Sequence, residues 1–312
     1  MKKQVTIAIP VYNSGNWIGE TLESVLNQTA TVDQILICDN HSTDNTVSVV
    51  KKFISDNEDK NIKLHINEKN IGAYANLNKC YKLSKTEYAL LLHADDKLKP
   101  NAIEKLLAFY EKHPDIAFVG GQSDFIDQDG NSIGKSKKKQ DYLFKKGEIL
   151  EFYTKVGVFF HPATILYNMK YRDLFLFDTK KIGGDEKQFI VTLLEHSFAV
   201  LGDSLLENRI HLGQAGTREH LRYNDRIEYY EQTLLFANYE SSPERIQKTR
   251  KFLKDWLASQ AIVVGKSVWR DFGEKQMGIK YWLYGLKKNP SYYFRRYISG
   301  PVKKPIKHLL NR

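Results

Sequence analysis

Apolar and polar positions follow two alternating rhythms over the first 120 residues, one of strands and one of helices. Residues 4–9 (Gln-Val-Thr-Ile-Ala-Ile) form a β-branched, mostly apolar run that predicts a strand, and Pro10 to Gly15 reads as the loop after it. Trp17, Ile18, Leu22, Val25 and Leu26 then recur at the helical period, with Ser14 ahead of them as a cap. Residues 34–38 predict a second strand, 39–45 a dense polar turn, and Val47, Val50, Phe53 and Ile54 the buried stripe of a second helix. The pattern repeats with a strand over 62–66, a loop over 67–72 and a helix over 73–83. A fourth strand, 88–92, runs into two adjacent carboxylates, Asp95 and Asp96, and Pro100 is placed to open the helix that follows. Residues 116–119 predict a further strand, and 128–131 (Gln-Asp-Gly-Asn) a hairpin turn.

Four strand–helix alternations in about 110 residues predict βαβ units, hence an α/β fold with a largely parallel sheet and helices on both faces. Right-handed crossovers put the ends of strands one, two and four on one edge of such a sheet. Tyr12, Asp39 and the pair Asp95-Asp96 are then expected to converge on one crevice, where open α/β sheets bind ligands. Beyond residue 135 the rhythm weakens. Lys135 to Lys139 reads as a solvated loop, 164–167 as a strand, 185–195 as a helix with Phe189, Ile190, Leu193 and Leu194 inward, and 218–288 as mostly helical.

The composition fits one large domain, or one domain with an appendage: 312 residues, 42% of them apolar. Cys38 and Cys80 lie in apolar segments without ligand spacing and read as reduced core residues. No apolar run approaches the ~18–20 residues that span a bilayer. The short run after Met1-Lys2-Lys3 contains Pro10 and lacks a cleavage pattern, so it reads as the first strand rather than a signal peptide. The net charge of +10 is unevenly placed: residues 275–312 carry ten Lys and Arg and no acidic residue, leaving 37 basic and 37 acidic residues in 1–274. A neutral body with a basic tail rich in Tyr, Phe and Trp predicts attachment to an anionic surface rather than to nucleic acid. The expected location is cytoplasmic, peripheral on the inner membrane face.

No Gly-rich phosphate loop follows the first strand. Phosphates must be neutralised another way, and a divalent cation on Asp95 and Asp96 can do so; Asp-Asp also suits a plain turn. Tyr12 offers a ring on which a base can stack. Asp39 can accept a hydrogen bond from a uracil N–H or a ribose hydroxyl, or cap its own turn.

Four segments together resemble the family-2 glycosyltransferases, which use the GT-A fold: Ile7-Ala-Ile-Pro-Val-Tyr-Asn13, Cys38-Asp-Asn-His-Ser-Thr-Asp-Asn-Thr46, Asn67-Glu-Lys-Asn-Ile-Gly72 and His93-Ala-Asp-Asp96. The resemblance covers residues 4 to 213. It implies a GT-A nucleotide-diphospho-sugar transferase domain over 1–215, divided into a nucleotide-binding half (1–120) and an acceptor and catalytic half (121–215). A helical region with the basic aromatic tail follows over 216–312. Pro10, Tyr12, Asp39, Asn70 and Asp95 would hold the nucleotide, and Asp95, Asp96 and His211 a Mn²⁺ or Mg²⁺ ion. The family often has Asp where this chain has His93, and Arg where it has Leu77. Asp185, with Glu186 as the alternate, would be the general base at a helix N-terminus, where the helix dipole keeps a carboxylate ionised. His161, Arg209 and His93 would reach the acceptor or the phosphates.

The implied activity is that of an inverting, metal-dependent hexosyltransferase. It would move a sugar from a UDP-sugar to a hydroxyl of a lipid-linked glycan during surface polysaccharide synthesis. Three other readings predict different features. A nucleotidyltransferase would carry a basic, Gly-rich loop after strand one, where this chain has Tyr-Asn-Ser-Gly-Asn. A nucleic-acid binder would bind through the tail with a steep salt dependence. A non-catalytic nucleotide-sugar binder would bind donor without turnover.

Overall fold

The computed structural model describes residues 3–137, 140–155, 161–177, 191–211, 223–240 and 242–292. The chain divides into two units, residues 1–212 and 213–312.

The first unit is built outward from Val5–Val11 (β1), buried along almost its whole length because Val, Ile and Ala occupy both of its faces. Ile18–Leu26 (α1) follows, burying Ile18, Thr21, Leu22 and Val25. Gln34–Asp39 (β2), Thr46–Asp56 (α2), Ile62–Ile66 (β3), Ala73–Leu83 (α3) and Tyr88–Leu91 (β4) complete the repeating part. Strands β3, β2, β1 and β4 lie side by side, all parallel. Val11 stands beside Asp39 and Ala8 beside Leu91, so the ends of β1, β2 and β4 share one edge. Ile7, Ile9, Ile37, Leu90 and Leu92 join Leu22, Val25 and Leu106 in one core, each fully buried apolar side chain contributing about 1.5–3 kcal/mol.

After β4 the chain forms Lys97–Leu98 (β5), Ala102–Lys112 (α4), Phe118–Ile126 (β6), Ser132–Gly134 (β7), Tyr142–Phe144 (β8), Ile149–Lys155 (α5), Leu166–Asn168 (β9) and Phe198–Arg209 (β10). The sheet continues β4-β9-β6-β10-β5, with β9 antiparallel to both β4 and β6, and β10 parallel to β6. Turn 127–131 joins β6 to β7 as the hairpin expected from the sequence. Three local readings change. Pro100 lies before α4, whose N-cap is Asn101. Ser14 does not cap α1 with its side chain; its carbonyl accepts the amides of Trp17 and Ile18. The strand expected over 164–167 starts two residues later, because residues Pro162–Thr164 make a 3₁₀ turn. Cys38 and Cys80 are buried free thiols.

The second unit contains Tyr223–Leu235 (α6), Pro243–Phe272 (α7) and Lys275–Lys288 (α8). Ser242 caps α7 by accepting the Arg245 amide at 3.3 Å, Pro243 occupies the first turn, and Gly273 ends the helix at φ +72°. Helices α7 and α8 touch through Gly265 and Gly278: a Cβ on Gly278 would lie 2.7 Å from the Gly265 carbonyl. Tyr230, Leu257, Ala261, Val268, Tyr281 and Tyr284 form this unit's core. No described helix is long and apolar enough to cross a membrane.

Candidate active site

The loops after β1 and β2 are laced together. Asn13, at φ +51°, donates its amide to Ser42 Oγ at 2.9 Å, and its Oδ1 accepts the Thr43 amide at 2.8 Å. Ser14 N donates to Thr46 Oγ1 at 2.8 Å and Gly15 N to Asp44 Oδ2 at 3.1 Å. This lacing leaves Tyr12, just past β1, 46% exposed at the carboxyl edge. Pro10 is half-buried within β1, beside Cys38. Asp39 is fully buried at the end of β2, and its carboxylate accepts both the amide and the hydroxyl of Ser42. Asn70 Oδ1 accepts from Asn40 Nδ2 at 3.0 Å and from the Gly72 amide at 2.9 Å. Behind it, the buried Asn67 side chain donates to Asn40 Oδ1 and Asn76 Oδ1, each at 3.0 Å, and Asn76 donates to the Cys38 carbonyl at 2.8 Å. This asparagine frame supplies the partners that buried polar backbone requires. It was invisible to periodicity, because loop polars carry no period.

The turn after β4 is held from the far end of β10. Arg209 is fully buried: its Nε donates to the Asp95 carbonyl at 2.9 Å, one terminal nitrogen to the Gln128 carbonyl at 2.9 Å and the other to Glu20 Oε2 at 2.9 Å. One guanidinium therefore ties the acidic turn, α1 and the β6–β7 hairpin, as its planar fork of donors permits. Trp17 donates to the same Gln128 carbonyl at 3.1 Å, and its ring centroid lies 4.3 Å from that of His211. Glu20, Trp17, Gln128 and Asn208 were not singled out by sequence reasoning. Their only signal is geometric.

Asp95 and Asp96 point into different surroundings. Asp95 Oδ2 lies 2.9 Å from His211 Nε2, with 21% and 10% of the two side chains exposed. Asp96 is fully buried, and its Oδ1 accepts the Arg209 amide at 2.9 Å and Asn208 Nδ2 at 3.1 Å. Its Oδ2 has no hydrogen-bond partner among the described residues; His93 Nδ1 stands 3.5 Å away and His161 Nδ1 3.9 Å away. Burial opposes ionisation of Asp96, but the His93 contact, the potential of His161 and His93 and the Arg209 amide together hold its carboxyl below the usual range. Burial pushes the His161 imidazole down to about 4, so it is neutral near pH 7.

Two donor sets flank this turn. Asp95 and His211 are an oxygen and an imidazole nitrogen already in contact at a partly open position, which suits Mn²⁺ or Mg²⁺. His93, Asp96 and His161 also bring one ligand atom each within 4.8 Å of one another. His161 is held through both ring nitrogens: Nδ1 accepts the Ala163 amide at 3.3 Å, and Nε2 lies 2.9 Å from Asn208 Nδ2, which also donates to Asp96 Oδ1. Of the site residues expected from the sequence, Tyr12, Asp39 and Asn70 come together at the ends of β1 and β2 and on the loop after β3. His93, Asp95, Asp96, His161, Arg209 and His211 come together around the turn after β4. Asp185 and Glu186 lie outside the described residues.

A mostly parallel sheet, with these loops and an Asp–His pair at its carboxyl edge and an antiparallel strand inserted beside β4, is the architecture of GT-A nucleotide-sugar transferases. The fold matches Staphylococcus aureus TarS in complex with UDP-GlcNAc (TM-score 0.65, 18% identity, 94% of this chain and 93% of that one). It also matches a mannosyltransferase from Pyrobaculum calidifontis in complex with GDP-Man and Mn²⁺ (TM-score 0.62, 15% identity, 93% and 88%). The chain belongs to glycosyl transferase family 2, whose profile matches residues 6–175. It is 28% identical over 213 residues to an uncharacterized glycosyltransferase of Methanocaldococcus jannaschii, covering 67% of this chain and 71% of that protein. It is 30% identical over 173 residues to the poly(ribitol-phosphate) β-N-acetylglucosaminyltransferase TarP of S. aureus, covering 54% of this chain but only 49% of that protein.

Proposed function

We propose that the chain is an inverting, metal-dependent hexosyltransferase that moves a sugar from a UDP-sugar to a hydroxyl of a lipid-linked surface glycan. The observation that carries this reading is the Asp95–His211 pair at the carboxyl edge of the sheet, beside the exposed Tyr12. The UDP-GlcNAc bound to TarS and the poly(ribitol-phosphate) β-N-acetylglucosaminyltransferase activity of TarP support a uridine donor and a polymeric acceptor.

In this reading Tyr12 stacks on the uracil. Asp39 keeps acceptor sites beyond those used by Ser42 and takes a base or ribose hydrogen bond. Asn70, within the asparagine frame, fixes the loop against the nucleotide. Asp95 and His211 hold the Mn²⁺ or Mg²⁺ ion, which supplies positive charge to the donor diphosphate. Asp96 and Arg209 hold the turn that presents Asp95. His93, 40% exposed, and His161 face the acceptor side. Asp185, or Glu186 in its place, removes the proton from the acceptor hydroxyl as its oxygen attacks the anomeric carbon. The bond from that carbon to the diphosphate oxygen breaks on the opposite face, so configuration inverts. Attachment to the cytoplasmic face of the membrane brings the catalytic unit to a lipid-linked acceptor.

A melting-temperature screen of nucleotide sugars with Mn²⁺ tests the donor assignment, because only a ligand that prefers the folded state raises the transition. UDP-sugars are expected to raise it. A chain stabilised by no nucleotide sugar contradicts the proposal.

A further inference from the structure

The helical unit carries a cationic groove that the sugar-transfer chemistry leaves unused. It encloses about 370 Å³ between α7 and the end of α8, lined by Arg250, Lys251, Lys254, Lys288, Asn289 and Pro290 with no acidic side chain among the lining residues. Arg250, Lys251 and Lys254 fall at helical spacing on one face of α7. Arg250 donates to Asn238 Oδ1 at 2.6 Å, and Lys288 pairs with Glu231 at 2.6 Å. Asp255, the other carboxylate at this end, accepts from Asn289. Lys251 and Lys254 make no ion pair among the described residues and are exposed. Among the described residues these two lysines pair with no carboxylate, and they stand at the mouth of a groove with Arg250 and Lys288 in its wall.

The adjoining face of α8 is apolar where solvent should reach it. Leu283 is 59% and Leu286 37% exposed, between Lys280 and Lys287, which are exposed as well. Residues 283, 286 and 287 share one face of α8, and the helix ends at Lys288, which lines the groove. Single exposed leucines are ordinary. Two exposed leucines bounded by lysines, on the helix whose end lines a cationic groove, form the pattern of a surface that lies in a bilayer interface, with apolar groups below the headgroups and cations among the phosphates.

We propose that this face of α7 and α8 docks on anionic phospholipid headgroups, the groove taking a headgroup phosphate and Leu283 and Leu286 entering the interface. The inference deepens the membrane attachment proposed above by naming the residues that make it, and places it in the folded helical hairpin as well as in the basic tail.

The test is co-sedimentation of the full chain with vesicles of phosphatidylcholine, with and without phosphatidylglycerol. The chain is expected to bind the anionic vesicles only. The double variant Lys251→Glu with Lys254→Glu, its tail intact, is expected to lose about tenfold or more in binding with an unchanged melting temperature. Leu283→Gln with Leu286→Gln is expected to weaken binding several-fold. If the glutamate variant misfolds, Lys251→Gln with Lys254→Gln answers the same question. Variants that bind like the parent assign attachment to the tail alone and overturn the proposal. Equal binding to neutral vesicles overturns it too. A melting-temperature rise in inorganic phosphate without vesicle binding marks the groove as a site for soluble phosphate and overturns the lipid assignment. No donor or turnover is involved, so failure here leaves the sugar-transfer reading untouched.

Discussion

Asp96 Oδ1 accepts the backbone amide of Arg209 at 2.9 Å, joining the turn after β4 to the end of β10. The bond is buried, and the neighbouring Arg209 side chain reaches back to the carbonyl of Asp95. Two consecutive aspartates therefore divide the work: Asp96 holds the frame, and Asp95 faces the crevice with His211.

That division predicts opposite phenotypes. Asp96→Ala leaves the Arg209 amide and Asn208 without their buried acceptor, and is expected to destabilise the first unit by about 2–4 kcal/mol in urea. Asp95→Asn, at a partly open position, is expected to cost less than about 1 kcal/mol. Equal losses for the two variants would refute the division.

Arg209→Met removes the donors that serve the Asp95 and Gln128 carbonyls and Glu20. We expect a loss of about 3–5 kcal/mol, discounted toward the lower end because Glu20 is half-exposed. Arg209→Lys should recover only part of this, since one ammonium cannot span three directions. Urea unfolding of the three proteins measures it, and full rescue by lysine would sink the bridging role.

The His161 imidazole is pushed from 6.5 down to about 4 in the folded protein. Between those values the unfolded chain binds more protons than the folded one, so stability rises with pH. The contribution is fully present above pH 6.5 and is lost as pH falls toward 4, by about 2–3 kcal/mol. His161→Gln, which cannot titrate, should flatten this part of the stability profile; Asp96 then governs the acid limb below it. A variant profile that falls as steeply as the parent's between pH 6.5 and 4 contradicts the assignment.

The repeating half was legible because β1, β2 and β4 are mostly apolar runs, β3 alternates apolar with polar residues, and the helices between them follow the helical period: Ile62–Ile66 and Ala73–Leu83 match their expected bounds. Strand β10 was not. Gly202-Asp203 reads as a turn, yet in the sheet it falls where the pairing of β10 with β6 shifts register between Val200 and Ser204. Tyr12, Asp39 and Asn70 were singled out through motifs, whereas the Asn40–Asn67–Asn76 frame and the Glu20–Arg209 pair join segments with no shared pattern. The contact of His211 with Asp95 was expected only through the family resemblance, because nothing in the spacing of two residues so far apart shows that they touch.

The most direct test of the account is UDP release from UDP-sugars by the full chain, with Mn²⁺, with a chelator in its place, and in the Asp95→Asn and His211→Ala variants. Release is expected to depend on Mn²⁺ and to fall by about 10²-fold or more in each variant while the fold is retained. Unchanged release in the chelator, or in Asp95→Asn, would contradict it.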